Sequence, residues 1–456
     1  MAVLRSYSRE QRFLLPPDLA DWVAEDDLAH FVIAAVERVT LDAFKINHRG
    51  TGKAQYHPRL MLGLLIYGYA NGIFSSRRLE RATYRDIGVR FVAADQHPDH
   101  DTIAAFRWDN ARAFEAAFLQ VLLLARESGL LKLGTVSIDG TKIDANASKI
   151  RSVRYDRMQA LRAKLAADIA ALTARAEAAD AEDAPDPQAL PRELARRETL
   201  KAKLDAACAR LEAEALAAHG QAKAEHEAKQ AAYAARTGRR GKPPVPPDDG
   251  PDGNGPPPAP ERQSNLTDPD SALMRKSARH EYRQAYNAQA VVDAEGSQLI
   301  VATGLATTPG DQPTFAATIL AMEAGIGLPR TVLADAGFAG RAPVEALKAR
   351  GIEPLVAVRA MQGERPYDFR PPPVAPKPDR AVREPWRLAM QATMNTEPAK
   401  ALYRLRKQTV EPVFGIVKAA MGFRQFLRRG LAAVEAEWTL VALAYNAKRM
   451  ARLCAA

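Results

Sequence analysis

The chain has 456 residues, of which 64 are Lys or Arg and 54 are Asp or Glu, leaving a formal net charge of +10. That length suits two or three domains with buried cores, and 47% apolar with 26% charged residues excludes a disordered or fibrous chain. Its longest apolar runs, such as Met61–Ile66 and Val121–Ala125, fall far short of a membrane span. Met1–Arg12 lacks a long apolar core, so no secretory signal is expected. Two cysteines, Cys208 and Cys454, cannot build a disulfide framework or a four-Cys zinc site, and the expected compartment is reducing and cytoplasmic. The basic excess makes a polyanion a modest candidate partner.

Residues 16–130 read as helical, with Leu28, Phe31, Val32, Ala35 and Val36 at helical spacing and Leu60, Leu64 and Tyr67 likewise. A later helix is expected to start at Asp101 as N-cap and to run, with a break, to Gly129. Thr135–Ile143 then alternates like a strand, followed much later by strands at Ala285–Val292 and Leu299–Leu305 around the turn Asp293–Ser297. A helix at Thr314–Ala324, a strand at Thr331–Ala334, a helix at Ala342–Arg350 and a strand at Pro354–Val358 follow. A final helical region covers 395–452. Such alternation predicts a mixed α/β sheet with helices on its faces.

More than a hundred residues separate the first two strands. Leu200, Leu204, Cys208, Leu211 and Ala215 form a heptad-like seam, with a break at Asp183–Pro191, so 151–240 reads as an antiparallel helical hairpin or short coiled coil. Gly241–Pro260 holds nine Pro and four Gly in twenty residues, which predicts a mobile tether over 241–262. A second Pro-rich stretch is Pro366–Pro378. The expected domains are a helical one over 1–130, a catalytic one over 131–150 and 263–456, and the insertion between.

Three carboxylates close or interrupt apolar elements: Asp139 in Val-Ser-Ile-Asp-Gly, Asp335 in Val-Leu-Ala-Asp-Ala-Gly, and Glu411 in the last helical region. Taken singly, the two aspartates read better as turn residues that close strands. Two strands and a covering helix could offer all three to one point, where their repulsion calls for hard cations such as magnesium or manganese. Paired ions of that kind activate water or a DNA 3′-hydroxyl. Asp144, five residues beyond Asp139, is a rival on the opposite face of the same strand.

At these residues the chain resembles the DDE-type insertion-sequence transposases, whose catalytic domain is RNase H-like. Ser137-Ile-Asp-Gly-Thr-Lys142 is similar to the family's first-Asp block and Ala334-Asp-Ala-Gly-Phe338 to its second. Tyr403, Arg406, Glu411 and Lys418 resemble its Tyr–Arg–Glu–Lys signature; Phe13–Pro17, Asp99–Thr102 and Tyr286–Gln289 add to the likeness. The resemblance implies an RNase H-like mixed sheet flanked by helices, with an all-α N-terminal domain and a helical insertion after the first strand. It also implies catalysis by Asp139, Asp335 and Glu411 with Mg2+ or Mn2+, two ions in all. One departure stands out: the signature leaves three residues between Arg and Glu, whereas four separate Arg406 from Glu411 and Lys407 falls at the family spacing. Tyr403, Lys407, Glu411 and Lys418 share one helical face, so helix geometry favours Lys407 over Arg406. Pro412 is expected to kink the helix there.

Arg77, Arg81 and Arg85 repeat every four residues after Ser75-Ser76 and form a basic stripe, a candidate DNA surface beside Tyr403, Arg406, Lys407 and Lys418. A solvated charged face is the plain alternative. His97-Pro-Asp-His-Asp101 has metal-like composition but reads better as a turn into a helix. Phe423–Arg429 suits DNA backbone tracking or a helix packing its aromatics inward. The implied function is a transposase that binds the ends of its element, cuts them and joins the 3′-hydroxyl to target DNA. It would act as a homodimer or larger synaptic assembly on the cytoplasmic nucleoid, away from membranes. The alternatives are an RNase H-like nuclease and a catalytically inactive DNA-binding descendant.

Overall fold

The computed structural model of the chain describes residues 18–48, 54–179, 189–235, 238, 242–251, 253, 255–275, 279–358 and 384–455. Phe13–Pro17, residues 183–188 of the expected hairpin break, and Pro366–Pro378 lie outside them. Residues up to Asp144 together with those from Tyr286 onward form one compact unit, and Ala145–Ala285 form a second.

The first unit begins with helices Leu28–Glu37 (α1), Pro58–Ala70 (α2), Ser76–Arg85 (α3), Ile87–Val92 (α4), His100–Asp109 (α5) and Ala111–Glu127 (α6). Asp27 caps α1 by accepting the Ala29 N–H at 2.8 Å. α2 is buried on nearly every side, as its unbroken apolar run requires. The helix expected from an Asp101 cap starts earlier: Asp99 is the cap, its Oδ1 accepting the Thr102 N–H at 2.7 Å. Asp99 takes the extended backbone that an N-cap site needs, at φ −67° and ψ 161°. The expected break falls at Asn110.

Strand Thr135–Asp144 (β1) ends the first part of this unit. In the second unit, Ser152–Arg154 (β2) and Gln263–Asn265 (β3) pair antiparallel at the base of two helices, Tyr155–Ala179 (α7) and Ala189–Ala234 (α8). Met158 and Leu165 of α7 meet Leu204, Ala207, Cys208 and Leu211 of α8 in a small core of their own. Ion pairs Arg162–Asp205 and Arg197–Asp168, both at 2.6 Å, flank it. The Pro/Gly-rich stretch expected to be a mobile tether instead folds back on α8. Asp249 lies 3.1 Å from His219 and 2.7 Å from Lys223, and its carbonyl accepts the Gly255 N–H. Charged anchors supply what composition could not show. Gly255, at φ +98°, has room for no Cβ against the His219 ring. Ala272–Met274 (β4) pairs antiparallel with Arg283–Ala285, the opening residues of strand Arg283–Asp293 (β5).

The first unit resumes along β5 with Ile300–Ala306 (β6), Phe315–Leu320 (α9), Thr331–Ala334 (β7), Arg341–Ala349 (α10), Glu353–Val356 (β8), Pro385–Met394 (α11), Glu397–Gly415 (α12) and Leu431–Cys454 (α13). Its strands lie in the order β6-β5-β1-β7-β8; β5 and β6 are antiparallel, while β1, β7 and β8 run parallel. This is a mixed α/β fold of RNase H-like kind with an N-terminal helical region. α13 is buried along most of its length. Its Asn446 amide bonds both the N–H and the carbonyl of Ile300, at 2.9 and 2.8 Å, and so occupies part of the edge that β6 would otherwise expose. No helix among the described residues is long and apolar enough to cross a membrane.

Candidate active site

Register places the first two carboxylates. In the parallel pair, Ser137 of β1 lies opposite Leu333 of β7. Two residues on from that pair come Asp139, still on β1, and Asp335, just past the end of β7 and still extended, so continuing the period of two gives them one face. β1 continues to Asp144, whereas β7 stops at Ala334 and Asp335 caps a single tight turn, its Oδ1 accepting the Gly337 N–H at 2.8 Å. Asp139 Oδ1 accepts the N–H of the following Gly140 at 2.7 Å. Asp144 pairs through its backbone with Arg424 and Phe426, at the far end of the strand.

A third carboxylate joins them. Asp311, in the loop before α9, accepts from Asn287 Nδ2 at 2.6 Å and lies 4.0 Å from Lys142 Nζ. Sequence reasoning missed it because Pro309-Gly310-Asp311 reads as an ordinary turn. Asn287 and Gln289, both wholly buried on β5, sit in the Tyr286–Gln289 block, yet nothing in that block announces their polar contacts.

α12 supplies the third expected carboxylate and a cation. The Arg406 guanidinium lies 3.2 Å from Asp139 Oδ2 and 3.5 Å from Glu411 Oε1, so one side chain bridges two of the expected residues. It is 12% exposed, against 52% for Glu411, and its carbon lies 6.0 Å from the Tyr403 ring. Lys407, the base that helix geometry favoured, is exposed. The reason is which face turns inward. Val410 and Val413 are buried, and Arg406 stands four and seven residues before them, at the centre of that face. Lys407 and Glu411 lie on its flank.

Pro412 stands inside α12, which runs on to Gly415. The helix bond that Pro412 cannot donate is replaced at Gln408, whose carbonyl accepts from Gln298 Nε2 at 2.8 Å. A π turn, Ile416–Ala420, follows, and such turns gather at functional sites. From it Lys418 Nζ donates to Thr141 Oγ1 at 2.6 Å and to the Lys142 carbonyl at 2.8 Å, tying the turn to β1.

Burial pushes the Asp139 carboxyl up from its ordinary 3.8 to about 6, with Asp335 and Asp311 adding repulsion and the Gly140 N–H and Arg406 opposing it. Burial lowers Lys142, against the pull of the same three aspartates. Among the described residues, no three His, Cys, Asp or Glu side chains close on a point tightly enough to hold an ion. The donor chemistry nonetheless fits a hard cation. All donors are oxygens, and the Asn287 Oδ1 is buried without a partner. Glycine at 140 and 337 lets these oxygens approach the backbone: a Cβ at Gly140 would collide with Asp311 Oδ1 and lie 2.8 Å from Asn287 Oδ1, and one at Gly337 would lie 3.0 Å from Asp335 Oδ1 and 3.1 Å from Asp311 Oδ2. Asp139 and Asp335 would hold such a cation.

Elsewhere, Arg77, Arg81 and Arg85 are exposed along α3, and no ion pair among the described residues engages them. Ser75 is the α3 N-cap residue but makes no side-chain cap bond. His97 and His100 bond Thr83 and Glu80, at 3.0 and 2.8 Å, in the turn into α5. Phe423 and Phe426 are wholly buried, inward as one expectation had it, though on an extended segment that pairs with Asp144 rather than on a helix.

The family model described as a transposase DDE domain matches residues 259–447, and that of the DUF772 transposase domain matches 17–109. The first takes in Asp335 and Glu411; Asp139 lies outside both. No curated protein and no solved structure matches the chain. With a transposase domain at each end and an RNase H-like sheet with one aspartate on β1 and another just past the end of the adjacent β7, the chain belongs to the DDE-type insertion-sequence transposases.

Proposed function

We propose that this transposase binds the terminal repeats of its element, cleaves them, and joins the freed 3′-hydroxyl to target DNA by metal-assisted transesterification. Asp139, Asp335 and Glu411 are the carboxylates of that reaction. The observation that carries the reading is the Arg406 bridge from Asp139 to Glu411, next to an Asp335 that raises the Asp139 carboxyl. Residues far apart in sequence thereby form one charged cluster.

Two divalent ions, Mg2+ or Mn2+, supply Lewis acidity when bound, polarising the scissile phosphate and lowering the pKa of the attacking hydroxyl. The chain's own residues do the positioning. Burial makes ionised Asp139 unfavourable until a cation neutralises it. Arg406 holds Asp139 and Glu411 in orientation, and its planar fork suits a phosphate as well as a carboxylate. Lys418, by fixing Thr141 and the Lys142 carbonyl, keeps the strand bearing Asp139 in register with the π turn. The exposed stripe Arg77, Arg81 and Arg85 contacts terminal DNA through its phosphates, with Lys407 available at the catalytic end. Pairing two ends requires a homodimer or larger assembly.

The test uses the full chain and a supercoiled donor plasmid bearing the element's ends. Asp139→Asn, Asp335→Asn and Glu411→Gln should each abolish Mg2+-dependent cleavage and strand transfer while end binding persists in gel shifts. Cutting at the unmodified rate by any one variant excludes that residue from the site.

A further inference from the structure

Asp311 stands outside the three carboxylates named for the reaction, yet its charge, like that of Asp335, acts on the Asp139 carboxyl. Its Oδ1 is the nearest atom to where a Cβ would stand on Gly140, the residue after Asp139, and its Oδ2 and Asp335 Oδ1 both lie close to where one would stand on Gly337. Asp311 is 19% exposed on its side chain, and the cation nearest to it, Lys142 Nζ, is 4.0 Å away and already donates to the Pro309 carbonyl at 2.8 Å.

A second observation points to a bound cation. Asn287 has no exposed surface; its Nδ2 serves Asp311, but its Oδ1 has no partner. That oxygen is 2.8 Å from the Gly140 Cβ position, on the same side as Asp311 Oδ1. A buried acceptor lacking a donor is an exception that calls for a ligand, and oxygen donors of mixed charge are what a hard divalent ion takes.

We propose that Asp311 is a further metal-holding carboxylate of the site, acting with Asp139 and Asp335, and that Asn287 Oδ1 supplies a neutral oxygen to the same ion. The assignment rests on the metal-dependent function proposed for the chain.

Mn2+ binding to the full chain without DNA, followed by the electron paramagnetic resonance signal of free Mn2+, tests it without any activity readout. Asp335→Asn reports on the site as a whole and Asp311→Asn on the new member. Both should weaken Mn2+ binding by about 10–100-fold. Metal-free Asp311→Asn should melt in the same cooperative transition as the parent, since the new amide oxygen can still accept from Asn287 Nδ2. Should that variant fail to fold, Asp311→Ser, which keeps a hydroxyl for the Asn287 amide, carries the same expected loss. Unchanged Mn2+ affinity in the Asp311 variants beside weakened binding in Asp335→Asn would overturn the assignment and leave the metal-dependent function standing. A parent protein that takes up no Mn2+ would overturn both.

Discussion

Replacing Asp139 by Asn should stabilise the metal-free protein while destroying its activity. Burial raises this carboxyl from 3.8 to about 6, a shift of about 2 pH units, and each unit corresponds to about 1.4 kcal/mol. Because the folded value lies above the unfolded one, folding favours the protonated form. The group's contribution is therefore complete below about pH 4 and is lost as pH rises through about 6, so ionised Asp139 costs about 3 kcal/mol at about pH 8. The side chain is only 20% exposed, so solvent screening removes little of this. Asn at 139 can still accept the Gly140 N–H but carries no charge. The variant should match its parent near pH 4 and exceed it by about 3 kcal/mol near pH 8, or about 4–5 °C in melting temperature for a unit of this size.

Urea or thermal unfolding in the presence of a chelator, run from pH 4 to pH 8, measures this directly. Adding Mg2+ should narrow or reverse the gap, because a bound cation stabilises the ionised carboxylate and only the parent retains it. Parallel stability–pH curves for the two proteins would refute the reasoning. They would mean that Asp139 is either solvated or fully neutralised by Arg406 in the folded chain.

Two further outcomes are expected. Replacing Arg77, Arg81 and Arg85 together by Ala should leave melting unchanged, since all three are exposed, but lower the log–log salt slope of terminal DNA binding by about 0.9 for each phosphate that the stripe neutralises; an unchanged slope would mean that the stripe faces solvent. Replacing residues 155–260 by a short Gly/Ser linker should preserve the cooperative melting of the sheet-bearing unit, because the hairpin has its own core and the cut falls where β2 and β3 already bring the chain ends together; loss of that transition would show that the helices are needed to fold the sheet.

What the sequence disclosed about the fold follows from the length of each signal. β1 was legible to within a residue because ten residues alternate or stay apolar, and the α7–α8 seam because its apolar positions repeat over several turns. β2, β3 and β4 are three residues each, too short for any period to register. α9 ends at Leu320, before the Ala324 expected from its apolar run, and Gly325 and Gly327 soon after mark why a helix does not persist there. The Pro/Gly-rich stretch misled for a different reason. Composition reports that a segment cannot build a core, but it is silent on a single aspartate that pairs with His219 and Lys223 of a neighbouring helix.

The site was legible where backbone periodicity decides and illegible where packing does. The apolar blocks that carry Asp139 and Asp335 are visible in the sequence, but the register of β1 against β7 that sets the two blocks side by side is not. Preferring Lys407 to Arg406 assumes that cooperating side chains share one helical face with Glu411 at its centre. Burial refutes that premise: Val410 and Val413 hold the centre of the inward face, and Arg406 lies in line with them. From there its long side chain reaches Asp139 and also Glu411 on the flank, about 140° around the helix at roughly 100° per residue. A four-residue gap between Arg and Glu is thus compatible with contact, because the guanidinium spans the angular difference that the backbone leaves. The register of the signature along the chain matters less than the valines beside it, which fix the rotation of α12 and so decide which base meets the carboxylates.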